Sequence, residues 1–90
     1  MFARVAVWEP MPTEDRSWVL EAAKSVPGVR DTFHLVDPET GNGLSVGFYD
    51  SREAISAAHA AIEQRAREIG WQDQPRPGPV SVTVYEVLRT

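Results

Sequence analysis

A hairpin signature in the middle of the chain restricts the possible folds more than any other feature. The segments "RDTFHLVD" (30–37) and "GLSVGFYD" (43–50) are both rich in β-branched and aromatic residues. The stretch "PETGNG" (38–43) between them supplies a proline and two glycines. Such a loop between two strand-like segments is typical of an antiparallel β-hairpin. The elements on either side of this hairpin then decide the fold.

Each side of the hairpin carries one segment with helical character and one with strand character. "FARVAVW" (2–8) and "VSVTVYEVL" (80–88) alternate in the strand period and are predicted to be the first and last strands. "EDRSWVLEAAKSV" (14–26) follows an N-cap candidate, Thr13, has acids in its first turn and ends at a Pro-Gly pair. It is predicted to be the first helix.

The second helix has recognisable ends. Asp50 or Ser51 is its predicted N-cap, Glu53 is placed to complete a capping box on Asp50, and Gly70 is a natural C-terminal residue. The connection "GWQDQPRPGP" that follows is expected to be extended because it holds three prolines. The order β-α-β-β-α-β predicts one ferredoxin-like α+β domain over residues 1–90, with a four-stranded antiparallel sheet and two helices on one face.

Composition excludes several classes of function. The net charge is -4 and the basic residues are scattered, so nucleic acid is not an expected partner. No apolar run approaches the roughly 18 residues of a membrane span, and the N-terminus lacks a signal-peptide layout, which predicts a cytoplasmic protein without a membrane partner. With no cysteine and two histidines, neither disulfides nor a structural metal site are expected.

The two faces of the predicted sheet suggest a second subunit. A chain of 90 residues buries only about 60–65% of its unfolded surface, so a single subunit is expected to be marginally stable. Alternation across the strands gives one aliphatic set, expected to face the helices: Ala3, Val5, Val7, Phe33, Leu35, Leu44, Val46, Phe48, Val80, Val82 and Val84. The opposite set is predicted to form a homodimer interface, chiefly through Phe2, Arg4, Trp8, His34, Tyr49, Tyr85 and Val87. A monomer whose aromatic sheet face is solvated is the alternative.

Nearly the whole chain resembles a known family. The run "VPGVRDTFHLVDPETGNGLSVGFYDSREAISAAHAAIEQRAREIG", followed by "PVSVTVYEVL", is similar to the antibiotic biosynthesis monooxygenase-like members of the dimeric α+β barrel superfamily. The resemblance implies a homodimer with a small-molecule cavity between sheet and helices in each subunit. It groups the chain with cofactor-independent oxygenases for aromatic polyketide-like substrates, haem-degrading oxygenases, lactone isomerases and proteins with no demonstrated activity.

His59 is the candidate catalytic residue. Ile55, His59, Ile62, Ala66 and Ile69 follow one another at steps of four and three, which predicts that His59 points toward the sheet. There the imidazole could act as a base or a hydrogen-bond donor, and a histidine that is hydrogen-bonded within a core is the alternative. The haem-degrading relatives use an asparagine on the first strand with a Trp and a His on the second long helix. Only His59 matches them, so no haem or other cofactor is expected.

Three further residues are candidates for ligand binding. Trp18 and Phe48 are expected to be walls of the cavity, and Glu86 is either an exposed strand end or a carboxylate at the cavity mouth near His59. The leading hypothesis is a monooxygenase-like enzyme for a small apolar or aromatic molecule. A non-catalytic binding module and a structural dimer with a closed core are the alternatives. An enzyme requires a solvent-connected cavity with convergent polar groups, a binding module an apolar cavity, and a closed core none.

Overall fold

The computed structural model describes residues 1–73 and 75–90 and contains the predicted elements in the predicted order. The strands are β1 (Phe2–Trp8), β2 (Val29–Val36), β3 (Gly43–Tyr49) and β4 (Ser81–Glu86). The helices are α1 (Ser17–Lys24) and α2 (Arg52–Glu68), and a single 3-10 turn (Trp71–Asp73) follows α2. Together they form a ferredoxin-like α+β fold, as predicted. Neither helix of the described residues is long and apolar enough to cross a membrane.

The sheet is antiparallel throughout and has the strand order β2-β3-β1-β4. Residues that lie directly opposite one another in neighbouring strands share a face of the sheet. Thr32, Gly47 and Arg4 are opposite one another and form one row across three strands. His34, Ser45 and Ala6 form the next row on the same face. These two rows lie beneath the helices.

The helix ends differ in part from the prediction. Helix α1 begins at Ser17 rather than near Thr13, because the carboxylate of Asp15 accepts a hydrogen bond from the Ser17 amide at 2.9 Å. Ser51 is the N-cap of α2, and its hydroxyl accepts from the Ala54 amide at 3.2 Å. The predicted capping box on Asp50 is not observed, since the Asp50 carboxylate pairs with Arg30 instead.

Small side chains hold the helices in place. The buried residues of α2 are Ala54, Ala58 and Ala66, and α1 contributes Ala23. Ala23, Ala54 and Ala58 pack with Tyr49 in one buried cluster. Apolar burial at these positions is favourable, but an alanine fills little volume. No large side chain is fully buried in the described part of the chain, so the space between the sheet and the helices is incompletely filled.

The sequence-based assignment of the sheet faces is wrong for β1, β2 and β3. Residues expected to point away from the helices lie beneath them: Ala6, Thr32 and Tyr49 are 1%, 7% and 6% exposed. The aliphatic set of these three strands lies on the other face, where Phe33 and Leu35 are 42% and 47% exposed. We call this the free face; it comprises Ala3, Val5, Val7, Phe33, Leu35, Leu44, Val46, Phe48, Ser81, Thr83 and Tyr85. The rule that the more aliphatic face lies under the helices fails here because the helix side encloses a cavity whose floor carries polar side chains.

Candidate functional site

A cavity of about 330 Å³ lies between the sheet and the two helices. Its floor consists of the two rows on β1, β2 and β3, and its roof includes Trp18 of α1 with Ile62 and Ala66 of α2. Trp71 and Pro79 line it from the segment that joins α2 to β4. This volume is at the lower end of the range for small-molecule sites and suits a ligand of two or three fused rings.

The first row of the floor is organised around Gly47. A Cβ atom at this position would lie 2.7 Å from ring carbons of Tyr49, which is closer than real contacts allow. Glycine therefore lets the Tyr49 ring lie against the sheet, with its hydroxyl over Gly47. Since Gly47 is flanked in the sheet by Arg4 and Thr32, three hydrogen-bonding side chains meet in this row.

The second row places His34 beside Ser45. The indole Nε1 of Trp8 donates to the Ser45 Oγ at 2.9 Å, so this hydroxyl keeps its own proton for another acceptor. Ser45 lies opposite His34 in the β2–β3 register, and both line the cavity. An imidazole and an oriented hydroxyl therefore stand next to each other on the floor.

Burial sets the protonation states of two floor residues. Desolvation lowers the pKa of His34, and the positive charge of Arg16 lowers it further. The imidazole is therefore neutral near pH 7 and can accept a proton. Desolvation raises the pKa of Tyr49, against the opposing effect of the Arg4 charge, so the phenol stays protonated and can donate a hydrogen bond.

Arginine and tryptophan side chains close one end of the cavity. The Arg16 guanidinium lies 5.1 Å from the ring centroid of Trp8 and 5.3 Å from that of Trp71. On Trp71, the guanidinium of Arg76 is 3.8 Å from the ring centroid. Glu14 contacts both arginines, at 2.9 Å from Arg16 and 3.7 Å from Arg76. These cation–π contacts and ion pairs tie the segment after α2 to the start of α1 and to β1.

Three buried polar atoms in the lining have no protein partner within the described residues. They are the Arg16 Nε, the Trp18 Nε1 and the Thr32 Oγ1. The first two are donors only, and the hydroxyl of Thr32 can donate or accept. Leaving such groups unpaired costs free energy, which a ligand rich in acceptor atoms would recover.

Some charged side chains around the cavity have an ion-pair partner, and Arg4 has none among the described residues. Glu63 is at the mouth, where its carboxylate is 2.9 Å from the His59 imidazole, and Glu14 pairs with Arg16. Arg4 forms no ion pair with any carboxylate in residues 1–73 and 75–90. Over the same residues, no cluster of three or more His, Asp or Glu side chains could hold a metal ion.

The predicted position of His59 is wrong. Its side chain is 61% exposed and lies at the cavity mouth beside Glu63, rather than against the sheet. Helix α2 is rotated relative to the prediction, since Ala58 and Ala54 take the sheet-facing positions. The last residue of the predicted stripe, Ile69, is also exposed, at 41%.

Of the other three predicted ligand-binding residues, one lies in the cavity lining and two lie outside it. Trp18 lines the cavity, as expected of a wall. Phe48 lies opposite Ala3 on the free face, so its prediction as a wall is wrong. Glu86 is exposed at the end of β4 and is outside the lining.

Most of the residues predicted at a dimer interface lie on the helix side instead. Arg4, Trp8, His34 and Tyr49 line the cavity. Phe2 shares their face, and the Arg52 guanidinium is 5.0 Å from its ring centroid. Tyr85 is on the free face, opposite Ala3, and Val87 follows β4, where its amide donates to the Met1 carbonyl at 2.9 Å. Phe2, Arg4, Trp8, His34 and Tyr49 therefore lie on the opposite face of the sheet from the one predicted.

Sequence reasoning missed Arg16, Thr32, Ser45 and Trp71 as site residues. Thr32 and Ser45 share strand parity with Arg4 and His34, and this group of hydrogen-bonding residues on one face was the available signal. Arg16 and Trp71 come from the ends of loops, and no periodic pattern indicates where they point.

Solved structures of three proteins share this fold over nearly the whole chain. "Rv0793 from Mycobacterium tuberculosis" is 18% identical with a TM-score of 0.67, covering 99% of this chain and 96% of its own. A "putative Antibiotic biosynthesis monooxygenase from Chloroflexus aurantiacus J-10-fl" is 17% identical with a TM-score of 0.68, covering 99% and 94%. A protein of the same description from Nitrosomonas europaea is 11% identical with a TM-score of 0.57, covering 99% and 100%.

These likenesses establish the fold. They confirm, at the level of structure, the predicted resemblance to antibiotic biosynthesis monooxygenase-like proteins. No family model matches the sequence, and no curated protein matches it.

Proposed function

We propose that the chain is a homodimeric, cofactor-independent monooxygenase that acts on a small aromatic molecule in the cavity of each subunit. One observation carries this proposal: polar side chains from three strands converge on the cavity floor, namely Arg4, Thr32, His34, Ser45 and Tyr49. A simple binding pocket would be lined almost wholly by apolar side chains, and a closed core would leave no cavity. The names of the structurally similar proteins from Chloroflexus and Nitrosomonas support the same class of reaction.

The second row of the floor supplies the acid–base chemistry. A suitable substrate has a CH2 group made acidic by flanking aromatic rings and a carbonyl, as in a hydroxyanthrone. Neutral His34 takes a proton from this carbon, and the Ser45 hydroxyl, held by Trp8, donates to the oxyanion that develops on the carbonyl. The first row and the tryptophans orient the ring system.

Molecular oxygen is the co-reactant. The substrate anion transfers one electron to O2, and the two radicals combine to give a carbon-bound peroxide anion. The peroxide takes the proton back from His34 and then eliminates water, which leaves a carbonyl carbon. In sum, the CH2 group and one O2 become a C=O group and one H2O, so no external reductant is consumed.

The free face supports a homodimer. Its side chains are largely apolar, and no other element of the described chain covers them. A solvated monomer rarely exposes so large an apolar area. Packing two such sheets face to face around a twofold axis would bury both free faces and leave each cavity on the outer side of its sheet. A cytoplasmic location remains a prediction from the sequence.

Oxygen uptake with a hydroxyanthrone tests the proposal. The protein is expected to consume one O2 for each quinone formed, well above the rate in buffer, and to keep this activity after treatment with a metal chelator. Binding of the anthrone without oxygen uptake would contradict the proposal and favour the non-catalytic binding module.

A further inference from the structure

The charge of Arg4 lacks a counterpart inside the protein. Arg4 is half-buried on β1, one of the two inner strands, where its side chain lines the cavity. No carboxylate of the described residues pairs with it, whereas the other arginine of the lining, Arg16, pairs with Glu14 at 2.9 Å. Removing a guanidinium partly from water is unfavourable unless an anion compensates it. The surroundings of Arg4 therefore favour a ligand with a negative charge.

The groups beside Arg4 are hydrogen-bond donors. The Tyr49 hydroxyl lies over Gly47, next to Arg4 in the sheet, and it keeps its proton at neutral pH. Thr32 continues the same row; it is only 7% exposed and its Oγ1 has no protein partner. A carboxylate offers two oxygens that accept from a guanidinium in pairs and still accept from neighbouring hydroxyls. The first row thus matches a carboxylate better than a single neutral carbonyl.

The remaining walls are aromatic and aliphatic. Trp18, Trp71, Val19 and Ile62 surround the space above the floor. Trp18 and Trp71 meet edge to face at 5.2 Å between ring centroids, which leaves flat surfaces for a further ring. Glu63 is the only carboxylate among the described residues of the lining, and it pairs with His59 at the mouth.

We infer that the cavity takes an aromatic carboxylate whose carboxylate group is held by Arg4, with Tyr49 and Thr32 as supporting donors. This inference rests on the proposed function of the cavity and names the class of its substrate. Arg4 on β1 and His34 on β2 lie in neighbouring rows with β3 between them, so the ligand extends diagonally across the cavity floor from the guanidinium to the imidazole. Arg4 also fixes which end of the molecule reaches His34.

Binding of a matched pair of probes tests the inference without any chemical turnover. Naphthalene-2-carboxylate and its neutral amide have the same ring system, and neither has an oxidisable CH2 group. All three tryptophans of the chain line the cavity, so quenching of their fluorescence reports binding there. The wild-type protein is expected to bind the carboxylate at least about tenfold more tightly than the amide. Equal affinity for the two probes, or binding of neither, would overturn the inference.

Variants of Arg4 assign the preference to one residue. Arg4→Gln is expected to weaken carboxylate binding about tenfold or more, while the affinity for the amide stays the same. Arg4→Lys should give an intermediate loss, because lysine keeps the positive charge but lacks the planar guanidinium that donates two parallel hydrogen bonds. Arg30→Gln is the matched control: Arg30 is exposed, pairs with Asp50 and lies outside the cavity, so its loss should change neither affinity. An equal effect of Arg4→Gln on both probes would contradict the role of Arg4.

Different results would contradict the anion site at Arg4 and the monooxygenase activity. If the carboxylate binds through Arg4 but no aromatic CH2 compound promotes oxygen uptake, the anion site stands and the monooxygenase proposal is wrong. If an uncharged hydroxyanthrone is oxidised at a rate that Arg4→Gln does not change, and the naphthalene probes bind equally, the monooxygenase stands and the anion site is wrong.

Discussion

The indole Nε1 of Trp8 donates a hydrogen bond of 2.9 Å to the hydroxyl of Ser45, across the neighbouring strands β1 and β3. This bond joins an aromatic wall of the cavity to a polar group of its floor. Because the Ser45 oxygen already accepts from Trp8, its proton is directed toward other acceptors. The bond therefore orients one of the groups proposed to stabilise the substrate oxyanion.

Replacing either partner of this bond tests what the bond contributes to the stability of the fold and what it contributes to kcat. Ser45→Ala leaves the partly buried Trp8 N–H without its acceptor, so we expect a loss of about 1 kcal/mol in the free energy of unfolding, measured by urea denaturation. It should also lower kcat for anthrone oxidation more than it changes KM, since the lost interaction develops with the oxyanion. Trp8→Phe should lower kcat less than Ser45→Ala, because it removes only the orienting bond. An unchanged kcat in Ser45→Ala would exclude Ser45 from the chemistry.

Gly47 should tolerate no side chain. In Gly47→Ala the new methyl group would lie 2.7 Å from ring carbons of Tyr49, so the ring must move away from the floor. We expect a loss of about 1–3 kcal/mol in the free energy of unfolding, measured by urea denaturation. The control is Gly78→Ala, where no other atom lies within 4 Å of the added Cβ and the change should stay within about 0.5 kcal/mol. Equal stability of the two variants would contradict the position of Tyr49.

His34 should make folding sensitive to mild acid. Its pKa in the folded protein is lowered by burial and by Arg16, so below the unfolded value of about 6.5 the unfolded chain binds a proton that the folded chain resists. Stability is therefore highest above that pH and is lost as the pH falls toward the folded pKa. The other charged or titratable side chains of the lining are those of Arg4, Arg16, Tyr49, His59 and Glu63.

Comparison with His34→Gln isolates this effect. Between about pH 7.5 and pH 5.5 the wild type should lose more urea stability than the variant, because both retain every other titrating group. A larger loss in the variant, or identical losses, would show that His34 is not held neutral in the fold.

Dimerisation through the free face can be tested directly. Sedimentation at micromolar concentration should give a mass twice that of the 10.0 kDa chain. Val46→Asp places a charge at the centre of the free face and should yield a monomer, because an unpaired charge is costly to bury between two sheets. Ser56→Asp, at an exposed position on α2, should remain a dimer. A monomeric wild type would rule out the proposed assembly.

The fold was predictable from local patterns, and the site was only partly so. Strand alternation, the central hairpin loop and the cap at Ser51 are set by neighbouring residues, and the structure contains each of them. Which side of the sheet faces the helices depends on what covers the free face, and no local pattern in this chain indicates that. The phase of α2 was missed in part: Ile62 and Ala66 of the predicted stripe line the cavity, but Ala54 and Ala58 are buried where His59 and Ile69 were expected to be. This rotation moved His59 to the surface and left His34 as the histidine inside the cavity.

Oxygen uptake by two histidine variants tests the central claim most directly. With a hydroxyanthrone as substrate, His34→Gln should lower kcat by about a hundredfold or more, as expected when a general base is removed. His59→Gln should lower it no more than about threefold, because His59 is exposed at the mouth and paired with Glu63. That contrast would place the base on the cavity floor. A wild-type rate no faster than that in buffer, or a larger loss in His59→Gln than in His34→Gln, would contradict the account.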